Sequence, residues 1–371
     1  MLTSFSSNFW LINVCVVTAV CILFAGVLIP QILLISFRRK LFDEPDERKI
    51  HLGAVPRLGG IAFKPVVFFS VALLLGIDII LGFGPMLEGI EAECKTLIFG
   101  FCSIMLLYLV GMADDLIGIK YRAKFFVQTV CGIMMIAGGV WINDLHGIIL
   151  LDEIPTWLGF PLTVFTVIFI INAINLIDGI DGLASGLCAV AAFAYGCIFF
   201  LEQKFIYSML SFATLGVLVP FFYFNVFGDV KRRKKIFMGD TGSLTIGMML
   251  CLLSVKLLQC DLSSMAPANP FILAFSPLAI PCFDVVRVYL HRVRNGKNPF
   301  LPDRNHIHHK LLDLGMNQHL AMVSIISFSV FFILCNIFLS QYIDATLLIV
   351  ADVAVWTLIN VWLRKKINEK K

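Results

Sequence analysis

The sequence predicts an all-α polytopic membrane protein with about eleven transmembrane helices, an outward N-terminus and a cytoplasmic C-terminus. Three observations carry that expectation. First, 59% of the 371 residues are hydrophobic and only 15% are charged, with a mean hydropathy of +0.91; a soluble domain has roughly a quarter of its residues charged, so a water-soluble fold is excluded. Second, apolar runs long enough to span the hydrocarbon layer, about 20 residues each, recur along the whole chain. Third, 25 of the 29 Lys and Arg residues fall on alternate loops or the C-terminal tail, counting Arg287 at the edge of the ninth span. The positive-inside rule assigns that side to the cytoplasm.

The spans follow in order. Residues 9–35 form the first, and its basic cluster Arg38, Arg39, Lys40 follows the apolar run instead of preceding it. No small-residue cleavage site stands out, so this segment reads as an anchor rather than a signal peptide. The next spans are 61–83, 96–112, 124–142, 156–175, 183–201, 206–223, 241–260, 270–290, 320–339 and 345–363. Each is bounded by charged, Gly, Pro or Asn residues that end an apolar helix. The four exceptions to the charge rule are Lys64 and Lys256 inside spans and Lys95 and Lys204 at the opposite loops. The eleven Cys stand apart with no C-x-x-C pair, so they are small hydrophobes and not a disulfide or zinc framework. One integral-membrane domain, 1–371, is expected, with its polar loops 36–60, 113–124, 172–182, 224–240 and 291–319 on the cytoplasmic side.

Those loops hold the chemistry. The first contains Asp43, Glu44, Asp46, Glu47, Lys49 and His51, then Arg57 beside the Gly59-Gly60 pair. The second has adjacent carboxylates, Asp114 and Asp115, at the end of span three, followed by Lys120, Arg122 and Lys124. Paired carboxylates at a membrane edge are costly, about 2.5 to 3.5 kcal/mol each if drawn to mid-bilayer, unless something holds them. The third loop, Asn172 to Gly182, has no basic residue, and any helical turn there would bring Asp178 and Asp181 to one face. As ordinary turn formers Asn, Asp and Gly would also suit a bland connection, but two uncompensated aspartates favour a cation or substrate site. The fourth runs through Lys231 to Lys235, a topology and lipid-headgroup signal, into Phe237-Met238-Gly239-Asp240-Thr241-Gly242-Ser243, where Asp240 opens a span. The fifth carries Asp284, Arg287, Arg292 and Arg294, then Arg304, His306, His308, His309 and Lys310, a donor-rich surface suited to phosphate.

Carboxylates alone would repel a phosphorylated ligand. A site handling a diphosphate therefore calls for a bridging divalent cation, and oxygen-only ligands suit Mg²⁺ or Mn²⁺ rather than zinc. The pattern points to phosphoryl chemistry at the membrane surface, on one water-soluble and one lipidic reactant, with no nucleic-acid partner.

Taken together, Asp114-Asp115, Asn172 to Gly182, Phe237 to Ser243 and His306-Ile307-His308-His309 resemble the motifs of the polyprenyl-phosphate N-acetylhexosamine-1-phosphate transferases, in the order expected and over nearly the whole chain. The resemblance implies transfer of a sugar-1-phosphate from a UDP-sugar to undecaprenyl phosphate in the bacterial inner membrane, with Mg²⁺ as cofactor and a homodimer as the assembly. The interruption of the histidine run by Ile307 looks like the branch using UDP-GlcNAc and not the one acting on UDP-MurNAc-pentapeptide. Carried over by resemblance, Asp240 and Asn175 would hold the metal. Asp114 would accept or orient at the lipid phosphate, with Asp115 assisting. Asp178 and Asp181 would organise the nucleotide site, and His308 would join them in the catalytic set. Phe237 would stack on uracil, and Lys49, His51, Arg57, Lys124, Arg304, His306 and His309 would bind substrate.

The competing class is a secondary transporter, which would place ionisable residues near mid-membrane in facing broken helices. Lys64, Asp78, Lys256 and Asp352 are scattered singly and show no repeat symmetry, whereas the clusters lie on one surface.

Overall fold

The computed structural model describes residues 2–41, 55–265, 267–296, 298 and 305–370. Among them the chain forms α1 (Leu2–Arg39), α2 (Phe63–Ile80), α3 (Cys94–Ile117), α4 (Tyr121–Ala137), α5 (Thr156–Ile177), α6 (Leu183–Leu201) and α7 (Phe205–Val226). It continues with α8 (Gly239–Leu258), α9 (Pro270–Phe275), α10 (Ala279–Arg294), α11 (Ile307–Asp313), α12 (Gln318–Leu339) and α13 (Ala345–Lys370). Among the described residues, ten helical segments are long and apolar enough to cross a membrane. The protein is multi-pass and almost wholly helical, as its composition requires: inside a bilayer only intra-segment hydrogen bonding satisfies the backbone.

Three local differences from the expected spans have physical causes. The fourth predicted span is a 17-residue helix, about 26 Å long at 1.5 Å per residue, stopped where Gly139 turns to φ +88°. The chain beyond it makes a small antiparallel hairpin, β1 (Asp144–Ile148) with β2 (Leu151–Glu153), which the all-α expectation omitted. The ninth span is broken: α9 passes through a 3₁₀ turn, Ser276–Leu278, into α10, because Pro277 supplies no backbone donor there.

The organising element is α8, in which every residue from Thr241 to Leu258 except Lys256 is buried. Its neighbours approach closely through missing side chains. A Cβ on Gly111 of α3 would lie 2.6 Å from the Cα of Thr241, and one on Gly60 would lie 2.0 Å from the backbone nitrogen of Gly242. The segment leading into α2 runs beside the approach to α8: Gly59 and Gly60 donate to the carbonyls of Phe237 and Met238 at 3.0 and 2.9 Å, and Phe237 donates to Pro56 at 2.8 Å. The start of α8 is thereby fixed among the ends of α2, α3 and α5.

Candidate active site

The two adjacent aspartates of α3 point to different tasks, because successive helical residues are turned about 100° apart. Asp115 faces the N-terminus of α8. One of its oxygens accepts from the backbone nitrogen of Asp240 at 2.8 Å, and the other from the nitrogen and hydroxyl of Thr241 at 2.8 and 2.6 Å. It caps a helix whose own N-cap, Met238, offers no side-chain acceptor, and places negative charge where the unpaired N–H groups favour it. Asp114 turns the other way: its Oδ1 accepts from the nitrogen of Ile119 at 2.6 Å and its Oδ2 pairs with Lys124 Nζ at 2.5 Å. The same ammonium pairs with Oδ2 of Asp240 at 2.5 Å. Asp240 Oδ1 in turn accepts from Asn175 Nδ2 at 3.2 Å, and Asn175 also donates to Ser243 Oγ at 2.7 Å. Lys124, from the first turn of α4, thus bridges carboxylates of α3 and α8, and α5 closes the group.

The loop after α5 supplies the next part. Asp178 and Asp181 do not share a helical turn, since α5 ends at Ile177 and α6 begins at Leu183. Asp181 is instead paired with Lys235 Nζ at 2.5 Å, both side chains nearly buried. Asn225 ties the two loops together, accepting from the nitrogen of Gly182 at 2.6 Å and donating to the carbonyl of Ile236 at 2.8 Å. Gly182 sits at φ +78°, a conformation glycine adopts without penalty. Asp178 is exposed on the loop beside the Asp181–Lys235 pair. Its carboxyl is pushed above the usual range, first by the surrounding protein and then by the like charges of Asp181, Asp240 and Asp115, with Arg57 pulling the other way. Such a set favours a cation.

Against this loop lies the histidine cluster. His308 is 1% exposed and packs on Gly179, where a Cβ would meet its Nε2 at 2.2 Å. Neither of its ring nitrogens has a hydrogen-bond partner, and burial, followed by the neighbouring His309, holds its pKa down to about 3. It is a neutral imidazole, with one donor and one acceptor, beside the aspartate loop. The His306 ring stacks parallel to it with centroids 5.7 Å apart, and His306 Nδ1 meets the fully buried Asp284 Oδ2 at 2.7 Å. Asp284 Oδ1 accepts from Arg287 and from the nitrogen of Ile307, at 2.8 and 3.0 Å, so it anchors the start of α11. His309 is half-buried, its ring 4.3 Å from that of His308.

Among the described residues no three His, Cys, Asp or Glu side chains form a ready metal cage. The donor chemistry still fits Mg²⁺, which binds through one or two carboxylates and completes its shell with phosphate oxygens and water. Asp240, Asn175 and the open Asp178 offer oxygen donors of that kind beside the cation Lys124.

Residues 97–258 match the model of glycosyl transferase family 4. A Yersinia pestis undecaprenyl-phosphate α-N-acetylglucosaminyl 1-phosphate transferase is 31% identical over 293 residues, 78% of this chain and 74% of that protein. The Salmonella typhi protein of the same name is 32% identical over equal shares, and a probable undecaprenyl-phosphate N-acetylglucosaminyl 1-phosphate transferase of Bacillus subtilis is 28% identical over 85% of this chain and 82% of its own. The chain belongs to the polyprenyl-phosphate N-acetylhexosamine-1-phosphate transferases.

For this transferase, the structure brings Asp114, Asp115, Lys124, Asn175 and Asp240 into one hydrogen-bonded group, with Asp178 and Asp181 on the loop beside it and His306, His308 and His309 against that loop. Arg57 is exposed at the edge of Asp178, and Phe237 is half-buried where its backbone pairs with Pro56 and Gly59. Lys49, His51 and Arg304 lie outside the described residues. Two residues escaped the sequence analysis. Lys235 read as the end of a basic surface run, although its position directly before Ile236-Phe237-Met238 marks where that run turns inward. Asp284 was noted with its arginines but given no task; its apolar surroundings, Phe283 and Val285, were the available sign of a buried anchor.

Proposed function

We propose that this transferase moves GlcNAc-1-phosphate from UDP-GlcNAc to undecaprenyl phosphate, releasing UMP and leaving undecaprenyl-diphospho-GlcNAc, at the cytoplasmic face of a bacterial inner membrane. The observation that carries the proposal is Lys124 set between Asp114 and Asp240 at one end of the helical bundle, beside the Asp178 loop and a neutral His308. The printed names of the relatives supply the donor and acceptor. The positive-inside pattern supports the orientation.

In this scheme an oxygen of the lipid phosphate attacks the β-phosphorus of the nucleotide sugar, and the bond to the α-phosphate breaks, with UMP leaving. Phosphate monoesters are largely ionised at neutral pH, with a second pKa near about 6, so the acceptor needs orientation more than deprotonation. Lys124 and Arg57 offset the charge of the approaching phosphates, Asp114 orients Lys124, and Asp115 holds the α8 N-terminus rigid. His308, buried behind the Asp178 loop and packed on Gly179, shapes that loop, and the half-buried His309 beside it is the ring placed to meet a phosphate oxygen. Mg²⁺ held by Asp240 and Asn175, with Mn²⁺ as a substitute, would neutralise the diphosphate when bound.

The test is turnover of the purified protein in detergent with undecaprenyl phosphate and a panel of UDP-sugars, reading UMP and the mass of the lipid product. We expect activity with UDP-GlcNAc that disappears in excess EDTA, returns with Mg²⁺, and falls at least about 100-fold in Asp240→Asn. Full turnover in EDTA would remove the metal from the scheme. A lipid product carrying only MurNAc-pentapeptide would move the protein to the peptidoglycan branch.

A further inference from the structure

Two basic runs far apart in the chain end up side by side. Arg38, Arg39 and Lys40 close α1, and Lys231, Arg232, Arg233 and Lys234 lie in the loop after α7; all seven are exposed. The helices α1 and α7 pack in parallel, with a Cβ on Gly216 only 2.7 Å from that of Cys21, so their polar ends emerge together. The runs meet where the Arg233 guanidinium lies 5.5 Å from the centroid of the Phe37 ring, in the last turn of α1.

The loop is shaped for this contact. Arg233 holds φ +57°, a left-handed conformation uncommon for a non-glycine residue. Arg233 and Lys234 donate to the carbonyls of Val230 and Asp229, and the absent side chain of Gly228 lets the returning strand pass close, with the Lys234 carbonyl 2.5 Å from a Cβ placed there. Lys235 turns inward to Asp181 while the four preceding cations face out. In the described part of these two segments the only carboxylate is Asp229, whose neighbour Arg232 pairs with it at 3.6 Å.

Below the cations the surface is apolar and aromatic. Leu34 and Ile35 of α1 and Tyr223 of α7 are exposed, as is Phe227 just past it, with the Tyr223 and Phe227 rings 5.9 Å apart. A cationic rim above an aromatic, acyl-facing wall matches the chemistry of an anionic phospholipid: a phosphate at the headgroup level and two acyl chains beneath it. A topology signal requires the charges on one side of the membrane, but it requires neither their convergence from two segments nor the Arg233 conformation.

We propose that this patch is a binding site for an anionic phospholipid headgroup, separate from the substrate site and formed jointly by the ends of α1 and α7. The partner is a bulk membrane lipid of the leaflet beside the polar end, held by phosphate–guanidinium and phosphate–ammonium contacts.

The experiment is native mass spectrometry of the full chain in detergent with phosphatidylglycerol or phosphatidylcholine supplied in equal amount. We expect retention of phosphatidylglycerol over phosphatidylcholine by about tenfold. A variant with Arg38, Arg39, Lys231, Arg232, Arg233 and Lys234 all changed to Gln should lose that preference while keeping the wild-type melting temperature. Should that variant fail to fold, a salt series on the wild-type protein gives the same decision: retention of phosphatidylglycerol must fall steeply with ionic strength. Equal retention of the two lipids by the wild-type protein, a preference that survives the Gln changes, or one insensitive to salt would each overturn the proposal. Added undecaprenyl phosphate in excess should not displace the phosphatidylglycerol; full displacement would make the patch part of the acceptor site and defeat the claim of a separate one. Because the readout is lipid retention, its outcome is independent of whether the protein turns over UDP-GlcNAc.

Discussion

Lys235 and Asp181 form an ion pair whose side chains are 11% and 9% exposed, and the pair stands beside a second aspartate, Asp178. Removing one member of a buried pair strands the other charge and typically costs about 3 to 5 kcal/mol, whereas replacing both with neutral groups can be nearly free. Lys235→Met should therefore lower the melting temperature markedly, and adding Asp181→Asn should recover most of the loss. A double-mutant cycle read by thermal unfolding in detergent measures the coupling, and additive effects would show that the pair is not coupled. Turnover should stay low in the recovered double variant, since Asp181 borders the nucleotide loop in the proposed scheme. Asp284 and Asn225 act in the same manner: each uses its polar atoms to hold a loop, one at the start of α11 and the other between the α5–α6 and α7–α8 connections.

At the level of elements, the start of α8 is held by contacts that leave no room for a methyl group. A Cβ on Gly60 would be 2.0 Å from the nitrogen and 2.2 Å from the Cα of Gly242, both backbone atoms that cannot rotate away. Overpacking a tight contact costs typically 1 to 3 kcal/mol, and here it would also displace Asp240 from Lys124. Gly60→Ala should destabilise the protein by at least about 2 kcal/mol and reduce turnover more than tenfold; wild-type turnover at a normal melting temperature would mean that α8 can shift without harm. By contrast, a Cβ on Gly76, in the membrane-facing part of α2, would meet no neighbour within 4 Å, so Gly76→Ala should leave both quantities unchanged.

For the molecule as a whole, acid sensitivity follows from His308. Its pKa is held down to about 3 in the fold against an ordinary 6.5, so between those values the unfolded chain binds the proton that the folded one refuses. Stability is therefore fully present above pH 6.5 and is lost progressively as the pH falls toward 3. At pH 5 the expected loss from this residue is about 2 kcal/mol. Melting temperatures measured from pH 7.5 to 5 should fall for the wild-type protein and fall less for His308→Gln; parallel curves would mean that His308 is not the group responsible. Burial also lowers Lys310, to about 8, which puts a second rise in stability between pH 8 and 10.5 as its charge is relinquished in the fold. The four scattered intramembrane ionisable residues do not converge. Lys256 pairs with Glu93 at 2.7 Å, Asp352 accepts from Asn336 at 2.9 Å, Lys64 lies over the Phe68 ring at the start of α2, and Asp78 is buried near the other end of that helix.

The linear sequence settled the class of the molecule, because apolar length and backbone hydrogen bonding in a bilayer leave helices as the outcome for such runs. It also drew attention to Asp114, Asp115 and Asp240, since charge at a membrane edge is costly enough to stand out from an apolar background, whereas Asn175 and Lys124 received their tasks only through the motif resemblance. Only the tertiary structure decided how those residues divide their work. Two neighbours on one helix, Asp114 and Asp115, face a lysine and a helix N-terminus respectively, and Lys235 leaves its basic run to meet Asp181. The break at Pro277 and the stop at Gly139 were likewise invisible to hydropathy, which averages over a window longer than either feature. Side-chain partners are chosen by the lateral packing of helices, and that packing is set by where a missing Cβ, as at Gly60, Gly111 and Gly179, lets one backbone or ring approach another.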